Sequence, residues 1–303
     1  ASDVYKRQFR MLVIGITGLA GSGKSTVAVN LAAYFSKIGK KPLLLDCDVS
    51  APNAAIILGA ELFGKEEVSA FVPMIREDVC IKCGKCSEVC RSHAILSVKG
   101  RIPIFFPDLC ENCKACFFAC PVRAIEEGKT VVGWTYEGNA YGVDIVSGEL
   151  KHGVKEGALV VDAVKRRALM NFFSKKYDMV IVDTAPGAHC DVLRAIVGCD
   201  LALCVTEPTP FGAHDLEFIL RLTKMVGLRS YIVLNRSDIT EDHRKISELS
   251  ERYSSEIISE IPLDDEIVKS YIEGIPAVYG DRESEGIRAL NTLGRMVLEV
   301  LDL

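Results

Sequence analysis

Apolar residues along this chain gather into short runs separated by helical or turn-rich stretches. MLVIGIT, starting at Met11, is an apolar, β-rich run; GLAGSGKS follows at once, and TVAVNLAAYFSKIG then reads as a helix with Gly39 at its end. KPLLLDCDVS, YDMVIVD, CDLALCVTEP and RSYIVLN repeat the strand pattern, whereas HDLEFILRLTKMVG and TEDHRKISELSERY have helical periodicity. Strands alternating with helices predict an α/β fold: a mostly parallel sheet with helices on both faces. The glycine-rich GWTYEGNAYGVDIVSGELKHG is expected to form a hairpin and connector, with Trp134 as a packing anchor.

The 303 residues, 49% hydrophobic and 25% charged, allow one large domain or two unequal ones. No apolar run approaches the roughly 20 residues of a bilayer span. ASDVYKRQFR lacks the apolar centre of a signal peptide, and the acidic end of RALNTLGRMVLEVLDL lacks a basic amphipathic face. A cytoplasmic protein with no membrane partner is expected, and residues 1–10, before Met11, are expected to be a non-native extension. A net charge of -5 without a long basic tract gives no support for nucleic-acid binding.

Twelve cysteines in a reducing compartment point to metal or redox chemistry rather than disulfides. DVCIKCGKCSEVCRSHAI and DLCENCKACFFACPVRAI are one small unit repeated after 30 residues. In each, three thiols spaced by two residues can wrap three irons of a cubane cluster, while the fourth points toward the cluster of the other repeat. The expected sets are Cys80, Cys83, Cys86 and Cys120 on one 4Fe-4S cluster, and Cys110, Cys113, Cys116 and Cys90 on the other. A pair of structural zinc sites is the alternative, but such sites do not need three evenly spaced thiols plus a fourth, twice. The stretch 74–128 resembles bacterial-type two-cluster ferredoxins; Pro121 completes their signature in the second repeat, and Arg91 replaces that proline in the first.

Gly18, Gly23, Lys24 and Ser25 satisfy the phosphate-loop pattern G-x-x-x-x-G-K-[ST]. The small residues, Gly21 and Ser22 among them, let backbone N–H groups cradle phosphates ahead of Thr26, Lys24 neutralises the terminal phosphates, and Ser25 offers its hydroxyl to magnesium. KPLLLDCDVS and YDMVIVDTAPG both end in aspartate. A parallel sheet delivers Asp46, Asp48 and Asp183 to the edge that carries the phosphate loop, with Asp183 suited to magnesium and Asp48 to the attacking water.

From Met11 onward the chain resembles the MinD-type P-loop ATPases, a group that includes the nitrogenase iron protein and the Mrp/Nbp35 cluster carriers. Within that group it is most similar to members with an inserted ferredoxin domain. The resemblance implies ATP or ADP with Mg2+, and switch I on Asp48 and Asn53. It also implies switch II over Asp183–Gly187, an adenine contact from Asn235, and a base loop in IPLDDEIVKSYIEGIPAV. It implies an ATPase domain over 11–70 and 130–303 interrupted by a ferredoxin unit at 74–128. Leu19 stands where the group usually carries a second lysine that crosses a homodimer, so a homodimer stays open; Arg91, Arg123, Arg194 and Arg236 are conceivable substitutes. Cys199 and Cys204 are expected to be buried, Cys47 to point away from its flanking aspartates, and Cys190, just after switch II, to be a packed or redox-silent thiol rather than the ligand of a cluster between subunits. Two functions compete: ATP-coupled electron transfer through two clusters to a redox partner protein, and ATP-dependent assembly of clusters or metallocofactors for a partner.

Overall fold

Strands buried on both faces read as unbroken apolar runs, and four such runs make the centre of the sheet. The computed structural model describes residues 12–154, 157–175 and 177–301. Residues 1–10, expected as an extension, and Met11 lie outside the described residues. In chain order the elements are β1 (Leu12–Gly18), α1 (Lys24–Lys37), β2 (Pro42–Cys47), α2 (Ala54–Leu58), β3 (Glu61–Ile75), α3 (Lys85–Glu88), β4 (Ile95–Leu96) and β5 (Ile104–Phe105). There follow α4 (Ala115–Ala119), β6 (Ile125–Ala140), β7 (Val143–Leu150), α5 (Ala158–Lys175), β8 (Met179–Thr184), α6 (Cys190–Ile196), β9 (Leu201–Thr206) and α7 (Pro210–Met225). The chain ends with β10 (Arg229–Asn235), α8 (Arg244–Tyr253), β11 (Ile257–Ile261), α9 (Asp265–Glu273) and α10 (Glu285–Val300).

The described chain divides into two compact units, Glu67–Gly133 and the residues on either side of it. The span 74–128 of the repeated cysteine stretch lies inside the first of these.

The larger unit is built on a sheet of order β11-β10-β9-β1-β8-β2-β7-β6-β3. Its pairings β11–β10, β10–β9, β9–β1, β1–β8, β8–β2 and β2–β7 are all parallel. The two-residue connection at Tyr141–Gly142, both at positive φ (51° and 71°), makes β6 and β7 a hairpin. Alternation along β9 feeds two cores. Leu203 and Val205 join Ile14, Ile16, Leu31 and Phe35 on one face, while Ala202 and Cys204 join Leu216, Leu220 and Ile246 on the other. Among the described residues no helix is long and apolar enough to cross a membrane.

β3 and the early part of β6 were not legible as strands. ELFGKEEVSAFVPMI exposes its first seven residues, carries charges on both faces and turns to positive φ at Gly64 (63°), so no period of two survives. Trp134, expected as a packing anchor, is half-buried, with the Lys65 ammonium over its ring at 4.2 Å.

In the smaller unit the sequence repeat is also a backbone repeat. Lys82 and Asn112, Gly84 and Lys114, and His93 and Arg123 are pairs 30 residues apart, and all six have positive φ. Short helices α3 and α4 follow the same turns, and Phe71, Cys86, Ile95, Cys116 and Ile125 form one small core.

Candidate functional site

The phosphate loop leaves the end of β1, which register places beside Val205 on β9. A Cβ on Gly18 would collide with the Val205 carbonyl, and Gly21 and Gly23 adopt φ of 78° and 92°, so the loop's tight path requires these glycines. Leu19 O accepts from Ser22 Oγ (2.9 Å) and from Lys24 Nζ (2.9 Å), which folds the lysine back over its own loop. Asn235, at the end of β10, donates from Nδ2 to Ser22 O at 2.8 Å, and Gly187 N donates to Gly18 O at 3.1 Å.

Register does the same for the carboxylates. Asp46 lies opposite Asp183 on neighbouring parallel strands, and Ile16 of β1 flanks Asp183 on its other side. Asp46 Oδ2 accepts from Ala54 N and Ser147 Oγ, both at 3.2 Å, which anchors the start of α2 directly after Asn53. Neither oxygen of Asp183 has a hydrogen-bond partner, nor has Oδ1 of Asn53, although all three are buried. Burial pushes the Asp183 carboxyl up to about 7. The Ser25 hydroxyl and the Lys24 ammonium oppose that shift, so Ser25 acts on Asp183 even though it does not meet bonding geometry. Burial also raises Asp46, next to Asp183, and Asp48, which Lys24 partly offsets. Lys24 is lowered by its own burial and held charged by Asp183 and Asp48. Lys24, Ser25, Asp48 and Asp183 therefore form one electrostatic group, with anionic oxygens left over for a cation.

Beside the loop a cavity of about 250 Å³ is lined by Gly23, Thr26, Asn235, Arg236, Leu263 and Tyr271 among others. Its wall includes α9, from the segment expected as the base loop, and Leu263 N donates to Asp238 at 2.7 Å. Arg236 is the residue that sequence alone did not single out. It donates to Gly21 O at 3.2 Å and pairs with Glu207, whereas Arg194 pairs with Asp162 at 2.8 Å. Its only sequence signal is adjacency to Asn235.

The cysteines of the smaller unit regroup across the repeat. One small cavity is lined by Cys80, Cys83, Cys86 and Cys120, a second by Cys90, Cys110, Cys113 and Cys116. Among the described residues no three His, Cys, Asp or Glu side chains converge closely enough to hold a single metal ion. The thiols instead ring open space. Backbone N–H groups of Ser87, Asn112 and Phe117 favour the thiolates of Cys86, Cys110 and Cys116, while burial works against them and pushes Cys116 up to about 11. Of the remaining cysteines, Cys47 and Cys204 are buried, Cys199 is half-buried with its thiol pushed up to about 12 by burial, and Cys190 is exposed at the start of α6.

Residues 13–277 match the family model of the CobQ/CobB/MinD/ParA nucleotide-binding domain. The chain is 36% identical over 267 residues to MJ0579 of Methanocaldococcus jannaschii, covering 87% of this chain and 90% of that one. It is 25% identical to an iron-sulfur cluster carrier protein of Pyrococcus abyssi, over 91% of this chain and 82% of the relative. The solved structure of the septum site-determining protein MinD of Pyrococcus horikoshii, complexed with Mg-ADP, superposes with a TM-score of 0.59 at 20% identity. That superposition covers 96% of this chain and 98% of the other. With the phosphate loop, the parallel sheet and the carboxylates at its edge all in place, the chain belongs to the CobQ/CobB/MinD/ParA nucleotide-binding family and is a P-loop ATPase.

Proposed function

We propose that this ATPase is an assembly factor for iron-sulfur clusters or related metallocofactors, and that its cysteine unit holds two 4Fe-4S clusters. The observation that carries the two-cluster part of this reading is the regrouping of eight thiols into two cavities, each with three cysteines from one repeat and the fourth from the other. Cys80, Cys83, Cys86 and Cys120 would hold one cluster, and Cys110, Cys113, Cys116 and Cys90 the other. Cavities ringed by thiols suit a multi-iron cluster better than a point-like zinc ion, and turns with positive φ aim backbone N–H groups at such centres. Bound clusters supply low-potential one-electron chemistry. The carrier proteins of Pyrococcus and Methanocaldococcus among the relatives support the assembly role.

In the nucleotide site, N–H groups of Gly21, Ser22 and Gly23 surround the phosphates and Lys24 offsets their charge. Ser25 and Asp183 would hold Mg2+, for which the two unpartnered Asp183 oxygens are the observed fit. Thr26 and Asn235 face the base side, Asn53 begins the helix that reports on the phosphates, and Asp48 orients the attacking water. Asp48→Ala is therefore expected to abolish hydrolysis while leaving nucleotide binding within a few-fold. An equal loss of both, measured by phosphate release and equilibrium titration, would reassign Asp48 to binding.

Burial raises Asp183 above the ordinary carboxylate value, so below about pH 7 a proton must leave before Mg2+ can bind. Mg2+ affinity in the presence of ADP should then rise by about tenfold per pH unit up to that point and level off above it. A flat profile from pH 5 to pH 8 would contradict a protonated Asp183.

The functional test uses anaerobically prepared protein and an apo iron-sulfur enzyme as acceptor. Activation of the acceptor should require ATP and fail with Asp48→Ala. Activation independent of both would overturn the assembly role.

One observation favours a second reading, ATP-coupled electron transfer to a partner. Each cysteine quartet is complete within a single chain, so its cluster is suited to stay rather than be handed on. Iron-57 placed in the clusters separates the two: it stays with this chain if it delivers electrons only, and moves to the acceptor if these clusters are cargo.

A further inference from the structure

The two cysteines that reach the surface in the smaller unit occupy the same place in the repeat. Cys83 and Cys113 are exposed, whereas the other six thiols of the two quartets are buried or half-buried. The turns share their positive-φ positions, and the side chains around the two openings differ. Around Cys83 stand Ile81, Lys82, Gly84 and Lys85; at the equivalent places around Cys113 stand Glu111, Asn112, Lys114 and Ala115. Lys82 and Lys85 are both exposed, and Lys85 lines the cavity itself. Ile81 lines the same cavity and is 59% exposed, an apolar contact point beside the opening. Of the nearby acids Glu77, Asp78 and Glu88, Asp78 is engaged by Arg76 at 2.7 Å. At the other opening Glu111 lines the cavity, and the charge of Lys114 is taken up by Glu127 at 3.1 Å.

We propose that the face around Cys83 is the docking site for an acidic one-electron carrier protein, and that the equivalent face around Cys113 is not. The inference rests on the two-cluster reading above. An exposed thiolate ligand is where a cluster comes closest to solvent, so an electron donor docks there with the shortest path. Two lysines with no ion pair among the described residues, beside an exposed isoleucine, give a small basic rim with an apolar centre, which selects an acidic partner by charge and raises its rate of encounter. In the transfer, one electron leaves the carrier, which is oxidised by one, and the cluster beneath is reduced by one; no bond forms or breaks.

The test uses the full chain, prepared anaerobically, with reduced flavodoxin as the acidic carrier. The transfer rate at low salt should fall steeply with ionic strength. Lys82→Glu combined with Lys85→Glu should slow it by about tenfold or more and weaken the binding of oxidised flavodoxin, read by titration, by a similar factor. Glu111→Lys should leave both unchanged. Iron and acid-labile sulfide contents, and reduction by the cationic methyl viologen radical, should be undiminished in the double variant, which shows that the clusters are intact. Normal cluster content with unchanged flavodoxin binding and rate overturns the docking site alone. Absence of iron and labile sulfide from the unaltered chain overturns the two-cluster reading, and the docking site with it.

Discussion

Lys24→Ala is expected to weaken ATP binding on the order of 10²–10³-fold, because it removes a buried cation from a group of buried anions. Lys24 is only 6% exposed; its ammonium donates to the loop carbonyl of Leu19 and feels the charge of the Asp183 and Asp48 carboxylates. Without it, the terminal phosphates would face two carboxylates whose pKa values burial has already raised. The expected loss is therefore larger than that of a hydrogen bond alone. Lys24→Arg should restore little, since a planar guanidinium does not fit the fold-back onto Leu19 O. Equilibrium titration with a fluorescent ATP analogue gives the answer, with adenosine as the comparison. Adenosine has no phosphates, so its affinity should change by less than about threefold. Equal losses for ATP and adenosine would mean that the substitution had damaged the pocket as a whole.

Cys120→Ala is expected to remove about half of the roughly eight irons that two cubane clusters require. The cluster lost should be the one bound by Cys80, Cys83 and Cys86, although Cys116 is much nearer in sequence. The reason is the cavity that Cys120 shares with those three thiols, where the N–H of Ala124 donates to its sulfur at 3.2 Å. Pairwise variants make the assignment independent of spectroscopy. Cys120→Ala with Cys83→Ala should lose no more iron than either alone, because both act on one centre. Cys120→Ala with Cys113→Ala should lose nearly all of it. The reverse pattern would assign Cys120 to the cluster of its own repeat. Cys90→Ala should mirror the result at the other cavity, where Cys90 lies with Cys110, Cys113 and Cys116.

What the sequence by itself determined about this protein is what short-range chemistry fixes. The run from MLVIGIT through GLAGSGKS into its helix is strand, glycine loop and helix within a few turns of chain. Gly18 there answers to a close approach that a side chain would block, and Gly21 and Gly23 to positive φ. The cysteine spacing was legible for the same reason, since three thiols two residues apart can reach one centre from a single turn. Only the tertiary structure decided which distant groups meet. Asn235 reaches Ser22 across 213 positions because β10 and β1 end at the same sheet edge, with β9 between them. Asp46 and Asp183 face one another through the register of β2 and β8, and burial there sets their charge. Arg236 looked no different in sequence from Arg194 until the fold set it against Gly21 and Glu207. β3 was hidden because its charges and Gly64 erase the alternation that marks a half-buried strand, and sheet pairing with β6 supplies what local pattern could not. Local geometry is written in neighbouring residues; burial, register and charge coupling arise only when remote segments exclude water together.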